Sequence, residues 1–285
     1  MRLSRQETAT GQPVIALNRF EQLAYRYPLR GKLRVSEPLI RRFAAHHGLA
    51  SVIAEAPSGL LVLDLENRND RQRLFGGIEQ SVTNWLEANF KGLTSAWDIG
   101  AFHGEYTMTF ARLCGAEGEV HAFEPVPDSV RVLREQAELN DMQQVKVHHC
   151  AVWNSNTDLE IFVGGERPQT SSIISNAIPQ GGTQLVQAHS MDDLVLKLGA
   201  PEIVKIDVEG AELEVVQGGD QTLRDAKPTL LFESETWDSR RTETHLQLTS
   251  LGYELWSFAR PRFGGRARLQ KGTDGRMILA QHPRP

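Results

Sequence analysis

The stretch Ser95-Ala96-Trp97-Asp98-Ile99-Gly100-Ala101-Phe102-His103-Gly104-Glu105-Tyr106-Thr107 constrains the fold of this chain most. An apolar run reaches an acidic residue, turns through two glycines and enters the amphipathic segment Tyr106–Leu113. That order reads as strand, tight turn and helix, the opening of a βαβ unit. Glycines let a backbone pass close to a neighbour or ligand, and a helix N-terminus offers unpaired N–H groups. A second acidic turn, Ala122-Phe123-Glu124-Pro125, ends the next apolar run, Val120–Phe123. A carboxylate at that place suits a hydrogen-bonded ribose diol. Two acidic strand ends around one glycine turn predict a nucleoside site.

From about residue 94 strands and helices alternate. The pattern predicts strands at Thr94–Ile99, Glu119–Phe123, Val145–Ala151, Ile203–Asp207 and Pro228–Glu233. Helices are expected at Tyr106–Leu113, Asp128–Asn140, Met191–Leu198, Glu212–Leu223 and Arg241–Leu251. Extended segments at Leu159–Phe162 and Ser172–Ser175 flank the Gly164-Gly165 turn, and Glu254–Phe258 with Met277–Ala280 forms a terminal antiparallel hairpin. The expectation is an α/β fold, a doubly wound, mostly parallel sheet with ligands at the carboxyl ends of its strands.

Residues 1–92 read as a mixed α/β cap and 93–285 as the core. Within the cap, residues 1–12 look frayed, Val14–Tyr27 has helical apolar spacing, and Ser36 caps a helix through about Ala45. Ser51–Glu55 and Leu60–Leu65 alternate around Pro57-Ser58-Gly59 as a hairpin; Arg68–Leu74 and Ile78–Phe90 read as helices.

The chain has 285 residues, enough for a large core, and a net charge of −5 offers no general attraction to nucleic acid or anionic membrane. Its two cysteines, Cys114 and Cys150, make neither a disulfide framework nor a metal-ligand spacing. No apolar run approaches membrane-spanning length, and Met1–Gln12 lacks a signal core, so a reducing cytoplasm is expected. Oligomeric state, a homodimer included, stays open.

A second informative stretch is Val204-Lys205-Ile206-Asp207-Val208-Glu209-Gly210-Ala211-Glu212. Its carboxylates could bind a divalent cation, hold a ribose or ammonium, act as a general base, or cap the next helix. Asp207, at a strand end across from the glycine turn, reads as a site residue. His148 and His149 alternate faces of a strand and read as structural.

Asp98-Ile99-Gly100-Ala101, Gly104, Tyr106-Thr107, Ala122-Phe123-Glu124-Pro125, Leu139-Asn140, Ala151-Val152, Lys205 to Glu212 and Pro228 with Glu233 together resemble the FkbM family of S-adenosylmethionine-dependent methyltransferases. The resemblance covers roughly residues 75–235. It implies a Rossmann-like methyltransferase fold and methyl transfer to a hydroxyl, often on a sugar, glycan or natural product. This chain departs from the family at Phe102-His103, where a small polar residue and an aliphatic one are usual.

The resemblance implies S-adenosylmethionine as cofactor. Asp98 and the turn Gly100, Ala101, Phe102 and Gly104, with Thr107 behind it, would hold the methionine end. Glu124 and Pro125 would serve the ribose, and Ala151 and Val152 the adenine, with Val126 a candidate for its floor. Asp207 would stand beside the sulfonium. Candidates for the proton acceptor are His103, Asp207, Glu209 and Glu79, the last following the Gly76-Gly77 pair. Asp207, Glu209 and Glu233 could also form a Mg²⁺ site. The acceptor pocket would come from the cap, the Gly164–Gly182 insertion and the Arg260–Gly275 loop. Two other classes remain open: a nicotinamide-dependent oxidoreductase, although the turn is not G-x-G-x-x-G, and a non-catalytic cofactor-binding module.

Overall fold

A computed structural model of the chain describes residues 2–7, 13–16, 51–56, 59–64, 70, 80–163, 182–235, 240–259 and 267–283. The chain divides into two compact units: Met1–Asn89 with Glu135–Asp141 and Arg260–Ala267, and the remainder.

In the first unit, β1 (Arg2–Glu7), β2 (Pro13–Ala16), β3 (Ser51–Ala56) and β4 (Gly59–Asp64) form a sheet in that order. The expected hairpin forms, with Ser51 opposite Asp64 and Ala56 opposite Gly59. Leu61, Val62 and Leu63 of β4 are buried. The backbone of Leu60 is bracketed by one side-chain amide: Leu60 N donates to Asn140 Oδ1 and Asn140 Nδ2 donates to Leu60 O, each at 2.8 Å. Val62 N donates to Gln136 Oε1 at 3.3 Å, so side chains satisfy a strand edge that would otherwise stay unpaired. Helix α1 (Gln80–Asn89) completes the described part of this unit.

Two expectations fail here. Residues 2–7 are not frayed: β1 pairs antiparallel with β2, Arg2 opposite Ala16. Val14–Ala16 is strand, not the start of a helix, because the ladder to β1 on one side and to Ile53–Glu55 on the other captures its backbone. The rest of the expected Val14–Tyr27 and Ser36–Ala45 helices lies outside the described residues, as does Arg68–Leu74 apart from Asp70.

The second unit is built on β5 (Ser95–Ile99), α2 (Glu105–Cys114), β6 (Glu119–Phe123), the part of α3 (Pro127–Leu139) up to Arg134, and β7 (Val145–His148). Then come β8 (Ala151–Trp153), β9 (Thr157–Val163), β10 (Gly182–Ser190), α4 (Met191–Leu198) and β11 (Ile203–Ile206). It closes with α5 (Glu212–Gln217), α6 (Asp220–Asp225), β12 (Thr229–Glu233), α7 (Arg241–Ser250), β13 (Glu254–Ala259), β14 (Arg268–Lys271) and β15 (Met277–Gln281).

The main sheet runs β14-β13-β15-β12-β11-β5-β6-β7. Its five parallel strands, β7 to β12, have the Rossmann-like order in which the chain reverses direction across the sheet between β5 and β11. Ala96, Trp97, Ile99, Ile203, Val204 and Ile206 are fully buried, as a central parallel sheet covered on both faces requires. Helix α2 buries nearly its whole length, including Tyr106, Met108, Phe110 and Leu113.

Four boundaries differ from expectation. The strand expected over Val145–Ala151 breaks at His149-Cys150: β7 stays in the main sheet, while β8 joins a second sheet ordered β8-β10-β9. Strand β10 was hidden because its sequence is polar, with exposed and covered positions alternating under a weak apolar signal. The helix expected over Glu212–Leu223 divides at Gly218-Gly219. A Cβ on Gly218 would stand 2.0 Å from Trp153 O, and one on Gly219 2.7 Å from Met191 Sδ, so both positions must be bare for β8 and α4 to pack here. The Asp192 carboxylate then accepts from Gln221 N, Thr222 N and Thr222 Oγ1, starting α6 anew. At the other end β15 does pair with β13, but it lies between β13 and β12, and the charged strand β14 is added outside β13.

Candidate active site

Every described candidate residue stands at the carboxyl ends of β5, β6, β11 and β12 or beside β8. Asp98 precedes the turn and is fully buried. Thr107 Oγ1 donates to its Oδ2 at 2.6 Å, tying the first turn of α2 to the end of β5. Its Oδ1 faces Lys205 Nζ at 3.4 Å.

Lys205 is the site residue that sequence reading missed. It is 3% exposed in the middle of an apolar strand. Its Nζ donates to Gly100 O at 2.6 Å, lies 3.6 Å from Asp207 Oδ2 and stands over the Tyr106 ring. A lysine interrupting Ile203-Val204-x-Ile206 was the available signal, since a cation is almost never fully buried without partners. One ammonium therefore joins the glycine turn, the acid beneath it and the acid across from it.

The turn itself has three left-handed positions, Gly100 (φ +73), Phe102 (φ +47) and Gly104 (φ +83). A Cβ on Gly100 would sit 1.9 Å from Asp207 O, so glycine is needed for the turn to lie against the end of β11. Asp207 N donates to Ile99 O at 3.1 Å, which closes that contact.

Glu124 is 4% exposed. Its Oε2 accepts from Phe102 N at 2.8 Å and its Oε1 from Val126 N at 2.9 Å. Burial pushes its carboxyl up to about 7, although the two N–H bonds and the Lys205 charge oppose the shift. Pro125 O meets His149 Nε2 at 3.1 Å, and Ala151 and Val152 are buried on β8. His103 is 9% exposed and lies face to face with the Phe102 ring.

Beyond β11 the acids crowd together. Glu209 is held at φ +54, and burial with the nearby Asp207 charge pushes its carboxyl up to about 7. Glu212 accepts from Val208 N at 2.9 Å and is also raised to about 7, chiefly by burial. Glu233 is raised further, by burial and by Asp207, although Arg276 Nε donates to its Oε1 at 2.6 Å. Arg276 also reaches Glu235 at 2.9 Å.

The metal set expected from sequence needs correction. Among the described residues the carboxylates that converge within 4.8 Å are Asp207, Glu212 and Glu233; Glu212 replaces Glu209. Val208 N donates to Glu212 Oε1 and Arg276 Nε to Glu233 Oε1, so the protein's own donors already engage two of the three carboxylates. Glu79, residues 164–181 of the insertion and residues 260–266 of the Arg260–Gly275 loop lie outside the described residues; Arg268 opens β14. Among the described residues no helix is long and apolar enough to cross a membrane.

The raised carboxyls carry a pH signature. A group that ionises with more difficulty when folded contributes stability that is complete below its unfolded value, near 4.5, and lost as pH rises through about 7. Urea midpoints of wild type and Glu124→Gln should therefore diverge between pH 5 and pH 8, with the variant gaining relative stability as pH rises. A parallel pair of curves would show that Glu124 ionises as freely folded as unfolded.

Comparison with known proteins places this geometry. The model of the methyltransferase FkbM domain matches residues 98–255, more than half of the chain. A curated relative, hexuronic acid methyltransferase AglP of Haloferax volcanii, is 29% identical over 145 residues, which are 49% of this chain and 56% of that protein. The chain thus spans about half the length of the curated relative it matches. Solved structures of similar fold include methyltransferase FkbM from Methylobacillus flagellatus, at 18% identity, TM-score 0.47 and coverage of 71% of this chain and 48% of that one. Another is a SAM-dependent O-methyltransferase from Thermotoga maritima, at 14% identity, TM-score 0.43 and coverage of 81% and 77%. The matched segment runs from the buried Asp98 through the glycine turn and the Asp207 strand end to β13, and by it the chain belongs to the FkbM methyltransferase family.

Proposed function

We propose that this protein is an S-adenosylmethionine-dependent O-methyltransferase whose acceptor is a hydroxyl of a sugar or glycan. The observation that carries the reading is the Asp98–Lys205–Asp207 bridge beneath a glycine turn, with Glu124 at the next strand end. The donor set fits the cofactor: several carboxylates balanced by few cations complement a ligand that carries an ammonium and a sulfonium. Backbone N–H groups around Gly104 and the start of α2 would take the ligand's carboxylate. Glu124, with two oxygens already oriented by backbone N–H, would take the ribose hydroxyls. Ala151 and Val152 would lie along the base.

When bound, the cofactor supplies a methyl group already activated on sulfur. The chain must then align an acceptor oxygen and remove its proton. Glu209 is our choice for the proton acceptor, because it follows Asp207 at the end of β11 and burial beside that charge raises its carboxyl to about 7, where a base can take up a proton near neutral pH. Asp207, with a quarter of its side chain exposed, would orient the hydroxyl. The sugar class is supported by the name of the relative, which methylates hexuronic acid.

The test is transfer of labelled methyl to a panel of uronic acids and other glycans. For Glu209→Gln, kcat should fall about 10²–10⁴-fold while affinity for S-adenosylhomocysteine holds. The wild-type pH profile should rise through about 7. An unchanged kcat in the variant would remove Glu209 from the chemistry.

A further inference from the structure

Glu209 holds a backbone that glutamate rarely adopts. Its φ is +54, and Gly210 after it is also left-handed, at φ +97. A residue other than glycine stays in that region only where its surroundings over-determine it. Two side chains do so here, one on each side of the outlier. Before it, Val208 N donates to Glu212 Oε1 at 2.9 Å, a contact within the same turn. After it, Gly210 O accepts from Arg240 Nη2, which arrives from 30 positions further along the chain.

Arg240 is itself a fixed arm. It stands immediately before α7, and its carbonyl accepts from Thr244 N at 3.1 Å in the first turn of that helix. Its neighbour Arg241 ties the same helix start to the end of β12, donating from Nε to Ser234 Oγ at 2.8 Å, and also reaches Thr273 O. The Nη1 of Arg240 pairs with Glu214 Oε1 on α5, and only 24% and 12% of the two side chains are exposed. One guanidinium thus forks between a helix of the core and the carbonyl that follows Glu209. A planar, permanently charged group with several directed donors suits that task.

We propose that Arg240 is a positioning residue for methyl transfer, holding Glu209 in its left-handed backbone through Gly210 O. Arg240 sets where the Glu209 carboxylate stands and leaves the proton transfer to that carboxylate. The proposal rests on the reading of Glu209 as the proton acceptor given above.

The test joins hydrogen exchange to kinetics in Arg240→Gln, Arg240→Lys and the double variant Arg240→Gln with Glu209→Gln. In Arg240→Gln, amide exchange across residues 208–211 should quicken at least about tenfold, while Ile203–Ile206 keeps its wild-type protection. With the best acceptor of the glycan panel, kcat should fall about tenfold to hundredfold, and KM and the S-adenosylhomocysteine Kd should hold within about twofold. Arg240→Lys, which keeps a donor for Gly210 O, should regain at least about threefold of that kcat. Because Arg240 acts through Glu209, the double variant should be no slower than Glu209→Gln alone, whereas independent losses would multiply. Should Arg240→Gln fail to fold, the same measurements in a Glu214→Gln background, which leaves no orphaned carboxylate, carry the same expectations. Wild-type exchange across 208–211, or a wild-type kcat, in Arg240→Gln would overturn the proposal. Losses that multiply in the double variant would also overturn it and make Arg240 a packing element. An unchanged kcat in Glu209→Gln would instead defeat the reading beneath the proposal, and the proposal with it.

Discussion

Replacing Lys205 by methionine should cost about 3–5 kcal/mol of folding stability, the scale for leaving a buried charge without its partner. Asp98 is fully buried, and Lys205 is its cation. The same ammonium donates to Gly100 O and faces Asp207, so the loss reaches past one pair. Removing the charge from both sides separates the causes. Lys205→Met with Asp98→Asn should recover most of the stability, because a neutral pair leaves no orphaned ion. It should not recover cofactor affinity, since the turn then lacks both its tether and its charge. Urea denaturation of the two singles and the double gives the coupling directly. Additive losses would mean that the bridge is geometric coincidence.

Gly100→Ala is the second large effect. The added Cβ would overlap Asp207 O at 1.9 Å, in a backbone region that alanine avoids. Strain of the left-handed backbone plus overpacking against main chain amounts to about 2–5 kcal/mol. The turn must swing away from the end of β11, and both proposed cofactor contacts move with it. Affinity for S-adenosylhomocysteine should fall at least about 100-fold, which is near 2.7 kcal/mol. A variant with normal affinity would show that the turn does not hold the ligand.

The parts of the molecule that could be read from sequence are those where local pattern and global packing agree. The central parallel strands stand out because burial on both faces leaves apolar runs broken only by single charges, as in Ala96–Ile99 and Ile203–Ile206. Asp98, Glu124 and Asp207 are visible because each interrupts or ends such a run. What escaped was decided by neighbours distant in sequence. Strands β1, β10 and β14 are polar or charged, and only ladders to β2, β9 and β13 make them strands. The Gly218-Gly219 break answers to Trp153 and Met191, which no local pattern contains. That Glu212, and not Glu209, converges with Asp207 and Glu233 depends on where β12 brings Glu233, which local sequence does not show. Lys205 was in plain view within a quoted motif, but its meaning depends on two carboxylates about a hundred residues and two residues away.

Calorimetric titration of the wild-type protein with S-adenosylhomocysteine and S-adenosylmethionine, with Gly100→Ala as the control, tests the central claim most directly. The account predicts one site per chain with micromolar-scale affinity for both ligands, and its loss in the control. Absence of heat with either ligand, or equal binding by Gly100→Ala, would contradict it.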